Sequence, residues 1–222
     1  VSECGDGVVS MHYHQHPNKP PGMMLFFLLM LLLGGAFDAN AAHPPPAALP
    51  YRADLIRNAR LVWGLNAPVA DFAAQIDHES GWQPGITNTI GAQGLGQFMP
   101  TTTAWIGALM PGLAAKAPLN PGWSLRAVVS FDHWLWQRVS AVNACERMAM
   151  TLSAYNGGLG WVQRDRRLAK QQGFDGRRWF DSIERVNAGR GASAWRENRH
   201  YPRRILKALA PRYLTWGGAS CV

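Results

Sequence analysis

Apolar residues in this chain recur at the three- and four-residue intervals of a helix, while two-residue alternation, the mark of a half-buried strand, is scarce. That spacing confines the fold to packed helices. Asp54 to Trp63 carries Leu55, Ile56 and Val62 and predicts a first helix. Val69, Phe72, Ala73 and Ile76 share one face of a second, which opens near Pro68, a residue suited to a first turn. Asn120 reads as an N-cap with Pro121 behind it, opening a helix through Leu125, Val128, Phe131, Leu135 and Val142. A further helix runs from Ala144 through Met148 and Leu152 to Tyr155, where Asn156-Gly157-Gly158 ends it as a C-cap. A last one begins near Pro202 and stops before Pro211. No internal repeat is present, and the expected class is mainly α.

Chemistry gathers at the end of the second helix. Glu79 follows Ile76 by three positions and Phe72 by seven, which puts it at the edge of the apolar face, whereas Asp77 and His78 point elsewhere. A carboxylate carried onto an apolar face is costly to ionise, so its pKa rises. An acid still protonated near neutral pH is what general-acid catalysis needs. Taken alone, a helical Glu is more often a solvated surface group. The run Gly91-Ala92-Gln93-Gly94-Leu95-Gly96-Gln97-Phe98-Met99-Pro100 brings backbone close to a ligand and changes that weighting.

The first residues read as an export leader. Lys19 lies in a polar lead, Met23 to Leu33 is an unbroken apolar run, and Ala39-Asn40-Ala41 supplies a small-x-small cleavage site. That run falls short of the ~20 apolar residues of a membrane span. The expected organisation is a signal peptide over 1–41, a stiff extended Pro-rich linker over 42–50, and one domain over 51–222, long enough to bury a sizeable core. Beyond the leader remain Cys145 and Cys221, in a compartment that permits disulfides. Sequence leaves open whether they pair or whether Cys145 is a buried thiol and Cys221 sits in a frayed tail.

The net charge is +8, and +10 once Lys19, Glu3, Asp6 and Asp38 of the leader are removed. Cations crowd the part after Trp161, including Arg164, Arg166, Arg167, Arg177, Arg178, Arg203 and Arg204. Such a surface favours polyanions, and export favours an anionic cell envelope over nucleic acid.

Glu79-Ser80-Gly81-Trp82-Gln83-Pro84, followed without a gap by the glycine-rich run 91–100, resembles the catalytic core of the soluble lytic transglycosylases, which share the goose-type lysozyme fold. Their usual pattern is Glu-Ser-x-aromatic-x-Pro and then Gly-Ala-x-Gly-Leu-Met-Gln-x-Met-Pro. Ala154-Tyr155-Asn156-Gly157-Gly158 matches a second family element, and Glu197-Asn198-Arg199-His200-Tyr201 echoes a third, Glu-Thr-Arg-x-Tyr. The resemblance implies a single helical domain with a substrate cleft. It implies an enzyme that cleaves the β-1,4 bond between N-acetylmuramic acid and N-acetylglucosamine, with Glu79 as both acid and base. The muramic acid C6 hydroxyl is then the nucleophile, and a 1,6-anhydro sugar is released. Ser80, Asn88, Gln97, Met99, Tyr155, Asn156, Glu197 and Tyr201 are the implied substrate-site residues. Two departures stand out: Gly96 where the family often has Met, expected to loosen sugar contacts, and Asn88 where it often has Ser.

Hydrolysis generally needs a second carboxylate, and none is convincing. Asp132, Asp165, Asp175, Asp181 and Glu184 sit in charged contexts and read as solvated groups, and Asp71 lies two turns before Glu79. Of the tryptophans beside the motifs, Trp82, Trp105 and Trp161, one or two are expected at substrate. His78-Glu79 is no zinc motif, because Trp82 stands where the second His belongs. Gly94-Leu95-Gly96 lacks the third glycine of a dinucleotide fingerprint. His12, His14 and His16 belong to the leader. No cofactor or metal is expected. The expected partner is the peptidoglycan glycan strand, met by a monomer that touches membrane only through its signal segment. A water-using lysozyme of the same fold and a non-catalytic peptidoglycan-binding module are the alternatives. Wall remodelling, secretion-system assembly and phage lysis are all compatible with the sequence.

Overall fold

The computed structural model describes residues 43–221, so the expected signal peptide, 1–41, lies outside the described residues. Helices α1 (Arg52–Trp63), α2 (Val69–Ser80), α3 (Pro100–Leu109), α4 (Pro121–Trp136), α5 (Ala144–Gly157), α6 (Leu159–Gln171) and α7 (Ala192–Arg203) make up about half of it. After α7 the chain widens into a π-helical stretch, Arg204–Leu209, and tightens into a 3-10 helix, Ala210–Trp216. Among the described residues, extended pairing is limited to isolated bridges of Gln93 with Thr87 and Phe98. The mainly helical expectation holds.

Helix α2 is the most deeply buried of these helices. Val69, Ala70, Phe72, Ala73, Ala74 and Ile76 are at most 1% exposed, and so are Asp71 and Gln75. The expected single apolar face is therefore too narrow a description, because the C-terminal turns cover the opposite side. Burying Phe72 and Ile76 contributes ~1.5–3 kcal/mol each, and the alanines between them let neighbouring backbones approach. Gly217 passes so close that a Cβ there would stand 2.8 Å from the Val69 Cβ.

The tail then closes the first turn of α2. The Ala70 N–H donates to the Gly218 carbonyl at 3.0 Å, and the Ser220 N–H donates to the Asp71 carboxylate at 2.9 Å. The next residue, Cys221, is disulfide-bonded to Cys145 in the first turn of α5, which settles the pairing left open above. The two cysteines are 76 residues apart. Closing a loop of that length stabilises by about 4 kcal/mol in the chain-entropy picture.

Asn120 and Gly158 cap as expected, and Asn143 supplies a further cap. Asn120 accepts from the Trp123 N–H at 3.0 Å, Asn143 accepts from the Glu146 N–H at 2.9 Å, and Gly158 ends α5 at φ 92°. Other expectations change. Helix α4 stops at Trp136, short of Val142, whose amide is drawn away to the Arg177 carbonyl at 3.1 Å. Pro202 lies inside α7 and does not begin a helix. It cannot supply the N–H that continues α-helical bonding, and the π-helical widening follows directly. Pro46–Tyr51 is a 3-10 helix that is not extended, and it is pinned to the core through Ala48, which is fully buried, while Pro46, Ala47, Leu49 and Pro50 stay exposed. Helices α3 and α6 had no counterpart among the expected elements.

Candidate active site

Glu79 sits in the last turn of α2, which Gly81 ends in a left-handed conformation at φ 56°. Residues 81–99 then fold back as a braced loop. Trp82, at φ 65° and 2% exposed, donates its indole N–H to the Tyr213 hydroxyl at 2.9 Å and stacks on Tyr51. It is a core anchor and no sugar platform. The Asn88 side-chain oxygen accepts from the N–H groups of Ile90 and Ala92 at 3.0 and 2.9 Å. Gly94, at φ 72°, passes the Pro118 carbonyl so closely that a Cβ would meet it at 1.8 Å. Gln97, left-handed at φ 48°, donates its amide to the Gly94 carbonyl at 3.0 Å.

This loop, α3, α4 and α5 enclose a cleft of about 660 Å³. Glu79 lines it together with Asn88, Gln97, Met99, Tyr155, Asn156 and Glu197, so most of the expected residues converge. Two do not form its wall. Ser80 is buried and donates to the Ile76 carbonyl of its own helix at 3.2 Å, which withdraws its hydroxyl from the cleft. Tyr201 lies behind the acid, 2% exposed, and donates a short hydrogen bond to Glu79 Oε1. It touches the carboxyl and fixes its direction.

The opposite wall is aromatic. Trp105 packs edge-on against Trp134 at 4.8 Å and Phe131 at 5.6 Å, and Phe131 continues to Tyr155 at 5.3 Å. Phe131 was expected in the core and Trp134 was not singled out. Their helical spacing is what core residues show, and only the position of loop 81–99 leaves them facing a cleft. Gly96 does not loosen that wall. A Cβ there would stand 2.5 Å from the Phe98 ring and 2.6 Å from Val128, and its carbonyl accepts from the Tyr155 hydroxyl at 2.7 Å.

Burial pushes the Glu79 pKa up to about 7, with repulsion from Glu197 adding to it and the Tyr201 hydrogen bond opposing it. Directly beneath is an arrangement the sequence concealed. Asp71, Gln75 and Glu79 succeed one another every four residues, one stripe along α2, and α4 brings Asp132 to it. Asp132 is fully buried, not solvated, and neither of its oxygens has a hydrogen-bond partner in normal geometry. Burial, and then the carboxylates of Glu79 and Asp71, hold its pKa well above the usual range, countered in part by nearby Gln75. Asp71 is likewise raised to about 6 by burial, against its bond to Ser220.

Asp165 and Glu184 are also buried, contrary to expectation, because arginines reach them. Asp165 accepts from Arg199 at 2.8 Å and Arg190 at 3.2 Å, and Glu184 accepts from Arg203 at 2.9 Å. Asp175 and Asp181 are exposed as expected. The tract Glu197-Asn198-Arg199-His200-Tyr201 thus divides its labour on α7. Glu197 and Tyr201 face the site, while Asn198 binds Ser153 and Asn156 of α5 and Arg199 binds Asp165. Arg166, counted above as surface charge, is a structural tie to Gly176 and Ser140.

Among the described residues no group of three or more His, Cys, Asp or Glu is placed to hold a metal, and no helix is long and apolar enough to cross a membrane.

The family model for the transglycosylase SLT domain matches residues 59–177, more than half of the chain. The membrane-bound lytic murein transglycosylase F of Hahella chejuensis is 34% identical over 105 residues, 46% of this chain and 19% of that protein. Its namesake in Pasteurella multocida is 31% identical over 111 residues, 50% of this chain and 21% of that protein. The chain thus matches about a fifth of the length of these curated relatives. Among solved structures, the 70 kDa soluble lytic transglycosylase of Escherichia coli superimposes with a TM-score of 0.52 at 22% identity, covering 76% of this chain and 25% of that one, which is a likeness of fold. By the span of the family match, this chain belongs to the SLT transglycosylase domain family.

Proposed function

We propose that the protein is an exported lytic transglycosylase of the cell envelope that cleaves the β-1,4 bond between N-acetylmuramic acid and N-acetylglucosamine in peptidoglycan. The observation that carries this reading is Glu79: a cleft carboxyl pushed up to about 7 by burial and held by Tyr201. Protonated, it donates to the glycosidic oxygen as the C1–O bond breaks. The resulting carboxylate takes the proton of the muramic acid C6 hydroxyl as that oxygen bonds to C1. Glu79 ends protonated, the glycan chain is cut, and a 1,6-anhydro ring has formed with no water consumed. Intramolecular attack of this kind reaches effective molarities of ~10⁵–10⁸ M when well oriented, so no second carboxylate is needed. Asn88, Gln97, Met99, Tyr155 and Asn156 would contact the strand, and Trp105 and Trp134 offer apolar faces to sugar rings.

One observation favours a hydrolytic variant: Glu197 is a second carboxylate on the cleft wall, exposed and bonded to Asn156 at 3.1 Å. Asp132 and Asp165, buried as they are, do not reach the cleft. Mass spectrometry of digested peptidoglycan separates the two outcomes. Anhydro-muramic ends, lighter by one water, are expected; mainly reducing ends would assign Glu197 as a base for water.

A further inference from the structure

Asp165 is shared by two buried arginines. It bonds Arg190 and Arg199, and none of the three side chains is more than 9% exposed. One carboxylate against two guanidinium groups leaves one positive charge in excess. Arg199 employs all its nitrogens, on the Glu184 carbonyl at 3.0 Å, Asn198 at 2.8 Å, and Asp165 and the Val186 carbonyl. Arg190 employs one: Nη2 bonds Asp165, while Nε and Nη1 have no partner. The excess charge and the idle donors therefore fall on the same side chain, and burial lowers its pKa to about 10. A buried cation with empty donors is costly unless an anion completes it.

Arg190 lines a second cavity of about 210 Å³, together with Trp161, Gly191 and Ala194. Asn156 and Glu197 line both this cavity and the main cleft, and the hydrogen bond between them is the rim that separates the two. The Trp161 ring, with the Arg164 guanidinium 3.8 Å above it, supplies an apolar side and a second cation at the mouth. Glu197 is the opposing charge; it is exposed, hence screened, and its carboxylate is already engaged by Asn156.

We propose that this side cavity is a subsite for a carboxylate-bearing branch of the glycan strand, with Arg190 as its anion-binding group. A single carboxylate would cancel the single excess charge, and a turn of the Arg190 side chain, whose idle donors are shielded from solvent, would let it form charge-assisted hydrogen bonds. The inference rests on the peptidoglycan reading given above. It makes the protein prefer strands that still carry acidic peptide branches over bare glycan.

Two substrates test it: intact walls, and the same strands stripped of peptide by an amidase. Replacing Arg190→Gln raises KM about tenfold on branched strands and leaves the bare strands unchanged. Ala194→Phe, on the exposed first turn of α7, fills the cavity while leaving every residue of the ion cluster in place, and gives the same selective loss should Arg190→Gln fail to fold. Free N-acetyl-L-alanyl-D-glutamate inhibits turnover of bare strands only weakly and competes with branched ones, which separates a branch from a free carboxylate as the occupant. Co-sedimentation of Glu79→Gln protein with both wall preparations reads binding without turnover. Equal KM and equal sedimentation for Ala194→Phe and the parent on branched walls would overturn the subsite. Failure of the parent protein to cleave either substrate, with selective sedimentation intact, would count against the glycan-cleaving reading and leave the subsite standing.

Discussion

Two buried acids of the same type, Asp132 beneath the cleft and Asp165 beside α7, are both fully shielded from solvent yet do opposite work. Asp165 has two arginines and is ionic glue between α6, the loop before α7, and α7 itself. Asp132 has no cation at all; its neighbours are Glu79 and Asp71 on α2, the tyrosines Tyr155 and Tyr201, and the amide of Gln75. Where cations reach a buried carboxylate, it holds the fold together. Where none does, the carboxyl keeps its proton, and the cleft beside it becomes a place where an acid survives at neutral pH.

The contrast breaks most visibly at Glu79. Glu79→Gln keeps the size of the side chain but has no proton to give, so turbidity clearing of purified walls should fall by at least ~10²–10⁴-fold with unchanged circular dichroism. Clearing at the parental rate would remove Glu79 from the chemistry. Next in size is the exchange of the two aspartates. Asp165→Asn strips a buried pair of its anion and should cost about 3–5 kcal/mol. Asp132→Asn copies the shape of a neutral acid and breaks no ion pair, so by denaturant titration of both variants it should cost about 1 kcal/mol, the ordinary scale of a point substitution. Similar losses for both would mean that Asp132 is ionised after all.

Asp71 sharpens the comparison through pH. Its folded pKa of about 6 lies above the ordinary 3.8, so ionisation favours the unfolded chain. The penalty is absent below pH 3.8, grows between 3.8 and about 6, and is complete above. Asp71→Asn should therefore stabilise at pH 7 by up to about 3 kcal/mol and by nothing at pH 3.5, as read from unfolding at the two pH values. A gain independent of pH would place its origin elsewhere.

The smallest effect is a shift of profile. On the proposed mechanism activity needs the protonated Glu79 and so should fall as pH rises through about 7. Tyr201 donates to the carboxylate and opposes that elevated pKa. In Tyr201→Phe the alkaline limb should move upward by about one pH unit, since a hydrogen bond to a charged group is worth ~1.5–3 kcal/mol. A limb that moves downward would show that the tyrosine holds the acid in its neutral form.

The helices were legible because their periodicity and caps are local: Asn120 and Gly158 do what their neighbours in the chain allow. Glu79 was legible for the same reason, as a polar residue stepping onto an apolar face. Pro202 misled because a proline that opens a helix and one that ends its regular bonding look alike until the tertiary contacts of α7 are known. Ser80 misled because a hydroxyl beside the acid in sequence turns back to its own helix. The aromatic wall, the stripe of Asp71, Gln75 and Glu79 with Asp132 across from it, and the different fates of Asp132 and Asp165 needed the tertiary structure. A charged residue in a charged stretch is solvated by default, and whether an arginine 25 or 34 positions away reaches it is decided by how helices pack. The sequence alone thus determined the mainly helical class, the α2 acid and the glycine-rich loop that follows it, since these rest on spacing within a few turns. Which acids keep their protons, which are paired, and what faces the cleft were decided only when α4, α5 and α7 closed around α2, because desolvation and charge pairing depend on distances that no local pattern encodes.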